Sequence, residues 1–270
     1  MNSKAPRLLH ITDPHLFGDA SREIYGVDTT QSLRGVLEQA RADGPGLPDA
    51  ILVTGDIADD CSPQAYAGFR ELLAPWGVPV LCLPGNHDAP ELMAQLLSTG
   101  GFQFCGRADC GDWSIVLLDT HVPRDPSGRL ADSELERLQS ELRSTTNRPL
   151  LVCQHHPPVA VGSAWLDALG LQNGAQQLSI IEHAPQVRAV LAGHVHQAFD
   201  AYSGRVRILT TPSTCAQFTP NSATCVMDLR PPGYRWLDLL ADGSIGTQVR
   251  WLQDWAVTAR PTDDRVPFMD

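Results

Sequence analysis

No stretch of this 270-residue chain approaches the roughly 18 consecutive apolar residues of a membrane span, so no crossing helix is expected. Basic charge is also short: 20 Lys and Arg stand against 31 Asp and Glu, a net charge of −11. A protein that grips nucleic-acid phosphates by charge alone needs the opposite balance. A site for phosphate esters in so acidic a chain must take its positive charge from elsewhere, and a metal is the obvious source. The seven cysteines, Cys61, Cys82, Cys105, Cys110, Cys153, Cys215 and Cys225, contain no C-x-x-C and no small-framework spacing. That odd count in a long chain predicts free, mostly buried thiols and a reducing compartment. Lys4 and Arg7 precede an apolar stretch that His10, Asp13 and His15 interrupt, which does not read as a secretory leader; the expected location is the cytoplasm. No internal repeat or low-complexity segment stands out.

What is present suits a globular enzyme. A hydrophobic share of 43% supports a sizeable core, and the length allows one or two domains. Short apolar runs at 8–11, 51–53, 80–83, 150–153 and 187–192 each end in Asp, Gly, Asn or His. Continuous runs of that length predict strands buried on both faces. Helical periods fall at 30–41, 63–74, 90–99, 132–143 and 174–183. Two begin with Pro, and Asp132 is the expected cap of the fourth, whose stripe is Leu135, Leu138 and Leu142. Beyond His196, strands are expected at 206–210, 224–228, 235–240 and 247–252, with Asp242-Gly243 turning the last pair. The result is one layered α/β domain over 1–257, with a loose tail over 258–270.

Six of nine histidines lie where those runs end. The clusters are Asp13-Pro14-His15, Gly55-Asp56, Gly85-Asn86-His87-Asp88, His155-His156-Pro157-Pro158 and Gly193-His194-Val195-His196. They offer oxygen and nitrogen donors without a thiolate, a set suited to Mn, Fe, Zn or Co. On an extended strand D-x-H and H-x-H point to opposite faces, so they can share a metal only where the strand bends into a loop. The glycines before Asp56, Asn86 and His194 permit that bend. Two ions about 4 Å apart need an anionic bridge, and Asp56 is the isolated carboxylate placed to provide it. Asn86 adds a neutral oxygen that leaves net positive charge for a phosphate.

Taken in order, D-x-H, G-D, G-N-H-D, H-x-P and G-H-x-H resemble the calcineurin-like metallophosphoesterases over most of the chain. The segments 11–17, 162–167, 211–218 and 232–236 are similar to the bacterial class III cyclic-AMP phosphodiesterases. The resemblance implies an α/β/β/α sandwich of four layers and two divalent or trivalent ions, Fe or Mn first, with Zn, Co or Mg as alternatives. Asp13, His15, Asp56 and His196 would hold one ion; Asp56, Asn86, His155 and His194 would hold the other. The H-x-P spacing favours His155, although His156 satisfies the same pattern. Pro14 replaces a small polar residue without touching either ligand.

The implied reaction is hydrolysis of 3′,5′-cyclic AMP to 5′-AMP by a hydroxide held between the ions, with His87 protonating or steadying the leaving oxygen. Asp88 would orient a neighbour. Asn86, His87 and His196 would contact the substrate, and Trp165, Asp167 and Asn173 would line the nucleotide pocket, unless Trp165 only packs in the core. The competing functions are a broader diesterase acting on 2′,3′-cyclic nucleotides or other diesters, and a silent nucleotide sensor. The partner is a small cyclic nucleotide, with no nucleic acid or membrane, and the oligomeric state stays open. His10, His121 and His183 lack motif context and are expected to be satisfied or exposed. Asp119 is expected to cap a strand, and the contacts of 213–218 are not readable.

Overall fold

Side chains alternate along Arg7–Ile11: Leu8 and His10 face one way, Leu9 and Ile11 the other, and all four are buried. That double burial, repeated in the neighbouring strands, sets the architecture. A computed structural model describes residues 5–44 and 46–255. Among them, two six-stranded sheets pack face to face. The first has the order Ile245–Trp251, Gly233–Leu239, Arg7–Ile11, Ala50–Thr54, Val80–Leu83 and Phe102–Phe104. The second has the order Phe199–Ser203, Val206–Thr210, Val187–Ala192, Leu150–Cys153, Trp113–Leu117 and Gly106–Cys110. The last four strands of the first sheet and the central four of the second are parallel within their sheets.

Leu8, Leu52, Leu81 and Leu237 of one sheet meet Ile115, Leu151, Leu191 and Leu209 of the other in a shared core. The opposite face of the first sheet packs on the helices Thr29–Asp43, Pro63–Leu73 and Pro90–Leu96, through residues such as Leu33, Phe69 and Met93. The outer face of the second packs on Asp132–Ser144 and Gly174–Glu182, through Leu135, Leu138, Leu142 and Ile181. The layering is α/β/β/α, as the resemblance implies.

The expected helices all form. Asp28 and Ser62 cap the first two, accepting from the amides of Gln31 and Ala65. Asp132 is not the cap of its helix: Ala131 holds that position, and Asp132 lies in the first turn, where its charge favours the helix dipole. The strand expected at 224–228 shrinks to Met227–Asp228, paired with Gln217–Phe218. A small hairpin of Glu23–Ile24 and Val27–Asp28 carries no strong apolar pattern and was not expected. Asp242-Gly243 does turn the final hairpin. Cys61 departs from the buried-thiol expectation because it is exposed, although all seven cysteines are free. No helix among the described residues is long and apolar enough to cross a membrane. The tail over 258–270 lies outside the described residues.

Candidate metal centre

Parallel strands end together, so the loops after Ile11, Thr54, Leu83, Cys153 and Ala192 gather at one edge of the sandwich. Five of the seven expected donors have left-handed backbone there: Asp13 (φ 51°), His15 (48°), Asp56 (50°), His194 (69°) and His196 (48°). This is how D-x-H and H-x-H aim both side chains at one region. Non-glycine residues seldom adopt such φ values, and strain of this kind concentrates at functional sites. Backbone bonds hold the loops, with Asp13 N donating to Gly55 O (3.1 Å) and His15 N to Asp56 O (2.9 Å). Two glycines are required by space. A Cβ on Gly85 would lie 2.1 Å from Asp56 Oδ1, and one on Gly193 would lie 2.1 Å from Thr12 Oγ1.

Asp88 ties two loops together rather than orienting a single neighbour. It accepts from the amides of Ile57 (3.1 Å), Ala58 (3.0 Å) and Gly85 (3.0 Å) and from the Tyr66 hydroxyl (3.0 Å). Burial and the charge of Asp56 raise its pKa to about 6 against the pull of those donors.

The hydrogen bonds fix the histidine tautomers. Carbonyl and carboxylate oxygens only accept, so Nδ1 of His155 donates to Thr54 O (2.7 Å), Nδ1 of His196 to Ala216 O (2.8 Å), and Nδ1 of His15 to Asp59 Oδ1 (3.1 Å). Each Nε2 then turns inward. His15 Nε2 and His196 Nε2 face each other across 3.3 Å, and His196 Nε2 is 3.5 Å from Asp13 Oδ1. Two ring nitrogens that close need a positive charge between them, either a proton or a metal ion. His155 Nε2 lies 3.3 Å from Asp56 Oδ2 and 3.1 Å from Asn86 Oδ1, and His194 Nδ1 is 3.1 Å from the same amide oxygen. Asp56 Oδ2 also lies 3.8 Å from His15 Nε2, so it stands between the two histidine groups.

The electrostatics agree with a need for cations. Burial opposes charge on His15, but the hydrogen bond to Asp59 and the charges of Asp56, Asp59 and Asp13 outweigh it and push its pKa up to about 9. Burial likewise opposes charge on His155, and Asp56 and Asp13 carry it to about 9. Asp13 and Asp56 are held below the ordinary carboxylate range despite burial, chiefly by His196 and His155 respectively. Burial and the neighbouring His155 lower His194 to about 3. Ring nitrogens with carboxylate and amide oxygens suit borderline divalent ions.

Compact donor groups form from Asp13, His15 and His196 and from Asp13, Asp56 and His155. His156 is close to His155 and His194, yet its nitrogens are engaged elsewhere: Nε2 must donate to Pro126 O (3.2 Å), which leaves Nδ1 to accept from Thr120 (2.9 Å). Of the two adjacent histidines, His155 is the one that turns Nε2 toward Asp56.

Beside these donors lies a cavity of about 200 Å³ lined by His15, Ile24, Tyr25, Asp59, His87, His196 and Phe218. His87 sits on its wall, and its backbone N donates to Asp56 Oδ1 (2.9 Å). Asn86 and His87 are half-buried.

Neither Trp165 nor Asn173 lines this cavity. Trp165 packs edge-on against Phe218 (4.9 Å, 86°), in a cluster with Val161, Leu166 and Val195. The Asn173 amide is spent on the backbone of Leu130, accepting at 3.0 Å and donating at 2.9 Å. Asp167 accepts from the amides of Val161 and Gly162. Asp119 accepts from the His121 amide (2.8 Å) just past a strand end, and the ring of His10 is satisfied by Thr54 and Thr211.

Sequence reasoning missed Asp59, whose signal was a second carboxylate three residues after Asp56, and it missed Ile24 and Tyr25. It also left 213–218 unread. That segment backs the first donor group: Ser213 Oγ donates to Asp13 O (2.7 Å), Ala216 O receives His196, and Phe218 stacks on the His196 ring (4.6 Å, 24°).

The chain is 40% identical over 247 residues to the 3′,5′-cyclic adenosine monophosphate phosphodiesterase CpdA of Pseudomonas aeruginosa, covering 92% of this chain and 90% of that protein. It is 37% identical over 250 residues to the 3′,5′-cyclic-nucleotide phosphodiesterase alr5338 of Nostoc, covering 92% and 94%. A dimetal phosphatase from Danio rerio has the same fold at a TM-score of 0.71 and 15% identity, with 92% of this chain and 97% of that one aligned. The calcineurin-like phosphoesterase profile matches residues 6–198. The chain belongs to the calcineurin-like phosphoesterase family.

Proposed function

We propose that this metal-dependent hydrolase converts 3′,5′-cyclic AMP to 5′-AMP. The observation that carries the reading is the cavity. Its lining combines imidazoles of the donor group with Ile24, Tyr25 and Phe218, and His87 sits on its wall. A cyclic nucleotide has the matching polarity, an anionic phosphodiester joined to a largely apolar purine. The relatives named for cyclic-nucleotide hydrolysis support the same substrate class.

In this reading Asp13, His15, Asp56 and His196 hold one cation, and Asp56, Asn86, His155 and His194 hold the second, with Fe or Mn as the proposed metals. A bound pair supplies Lewis acidity to the phosphoryl oxygens and acidifies a water. Asn86, His87 and His196 face the substrate. Hydrolysis joins a water oxygen to phosphorus, breaks the bond to O3′ and leaves a proton on O3′. His87 delivers that proton, and Asp59 holds the ring at Nδ1, 3.2 Å away. The seven free cysteines support placing the activity in the cytoplasm.

The test is a substrate panel on one Mn-loaded preparation: cyclic AMP, cyclic GMP, 2′,3′-cyclic AMP and a synthetic diester. The highest kcat/KM is expected with cyclic AMP. Preference for any other member rejects the assignment in favour of a broader diesterase, and binding without product makes the chain a sensor.

A further inference from the structure

A file of buried polar side chains runs between the sheets from Arg235 to Asp13. Arg235 Nε donates to Thr211 Oγ1 (3.1 Å), and Thr211 Oγ1 is 2.6 Å from His10 Nδ1. His10 Nε2 is 2.8 Å from Thr54 Oγ1, Thr54 Oγ1 is 2.8 Å from Thr12 Oγ1, and Thr12 Oγ1 is 2.6 Å from Asp13 Oδ2. All six residues are buried, with Arg235 at 3% exposure the most open.

The direction of the protons in this file follows from its carboxylate end. A guanidinium only donates and a carboxylate only accepts. Thr12 therefore gives its proton to Asp13 and accepts from Thr54. With its own proton spent, Thr54 accepts from Nε2–H of His10. Neutral His10 then accepts at Nδ1 from Thr211, whose oxygen receives Arg235. Burial and the charge of Arg235 lower the His10 pKa to about 3, so the required neutral form is the stable one.

The other Arg235 bonds go to the Thr247 hydroxyl (2.9 Å) and the Thr210 carbonyl (2.7 Å), so the buried cation has no direct carboxylate partner among its hydrogen bonds. Buried charges need compensation. The file links this cation to the buried anion at the first donor group, and aligned hydrogen bonds polarise one another.

We infer that Arg235, Thr211, His10, Thr54 and Thr12 form a one-directional relay that orients the Asp13 carboxylate for cation binding. The relay residues are positioning residues, and the inference rests on the reading of Asp13 as a metal ligand.

The test measures Mn²⁺ binding to the metal-free full chain by titration calorimetry. Thr54→Val and Thr211→Val keep side-chain shape and each cut the file. Each should weaken the Asp13-side ion by about tenfold, the low end for outer-shell changes at metal sites. The double variant should lose no more than the worse single one, because a cut file cannot be cut again. Thr247→Val removes an Arg235 contact outside the file and should leave affinity unchanged. Urea midpoints identify any variant that misfolds, and His10→Gln is the reserve substitution.

Unchanged affinity in both single variants, losses that multiply in the double variant, or an equal loss in Thr247→Val would overturn the relay. Asp13→Ala separates the two readings: if it still binds two Mn²⁺ at unchanged affinity, the ligand assignment itself fails.

Discussion

Nδ1 of His87 stands 3.2 Å from Oδ1 of Asp59, the same oxygen that receives Nδ1 of His15 at 3.1 Å. One carboxylate thus links an expected metal ligand to the expected proton donor. His87→Ala removes the ring and keeps the main-chain bond from residue 87 to Asp56. It should retain both ions while kcat on cyclic AMP falls about 10²–10⁴-fold. Metal content by elemental analysis and steady-state kinetics on the same sample check this, and full activity in the metal-loaded variant would remove the role from His87. Asp59→Asn keeps an acceptor and loses the charge, so it should lower kcat or metal affinity about 10–100-fold.

Adjacent histidines give a sharper contrast. His155 turns Nε2 toward Asp56 and Asn86, whereas both nitrogens of His156 are occupied by Pro126 and Thr120. His155→Ala and Asn86→Ala should each lower the bound metal from two ions to one. His156→Ala should keep two ions and lose stability, by about 1–3 kcal/mol for the unpaired Thr120 hydroxyl and Pro126 carbonyl. Metal stoichiometry and urea unfolding on all three variants decide the matter, and a lost ion in His156→Ala would reverse the assignment.

These two pairs also mark what the sequence could tell. The donor loops were legible because runs such as 51–53 and 187–192 end in glycine followed by a donor, and both strand burial and the bend are local properties. The choice between His155 and His156 was open because His-His-Pro-Pro satisfies H-x-P in two registers. Only the tertiary neighbours Thr54, Thr120 and Pro126 separate them. Asn173 was misread because following a ligand loop in sequence says nothing of where a side chain turns; it turns to Leu130. Phe218 and Ser213 reach the donors across more than 20 and 190 residues respectively, a distance that no periodicity bridges.

The hairpin turn at Tyr25-Gly26 predicts a substrate-selective effect. Both central residues have positive φ (51° and 79°), as a type I′ turn requires, and the hairpin places Ile24 and Tyr25 in the cavity wall. The wall lies on the nucleoside side of the proposed site. Tyr25→Ala should raise KM for cyclic AMP about tenfold, the ~1.4 kcal/mol of a partly lost aromatic contact. It should leave kcat/KM for methyl 4-nitrophenyl phosphate within about twofold, because ~0.4 kcal/mol or less is at stake there. An equal fall with both substrates would assign Tyr25 to the metal site instead.

Asp119 predicts a pH-dependent gain in stability. Burial first, then the charges of Glu134 and Glu91, raises its folded pKa from 3.8 to about 6, against the His121 amide and Arg137. Between those values the folded chain holds the proton more tightly than the unfolded chain. This contribution to stability is complete below pH 3.8 and is lost as pH rises through about 6. Asn resembles the protonated acid and can still accept from the His121 amide. Asp119→Asn should therefore be more stable than the parent at pH 7.5 by about 1–2 kcal/mol, a two-unit shift discounted for partial exposure. Near pH 4, about the ordinary carboxylate value, the two proteins should unfold at nearly the same urea concentration. Urea midpoints in matched metal-free buffers give both numbers, and a less stable variant at pH 7.5 would mean that the Asp119 charge is compensated in the fold rather than tolerated by it.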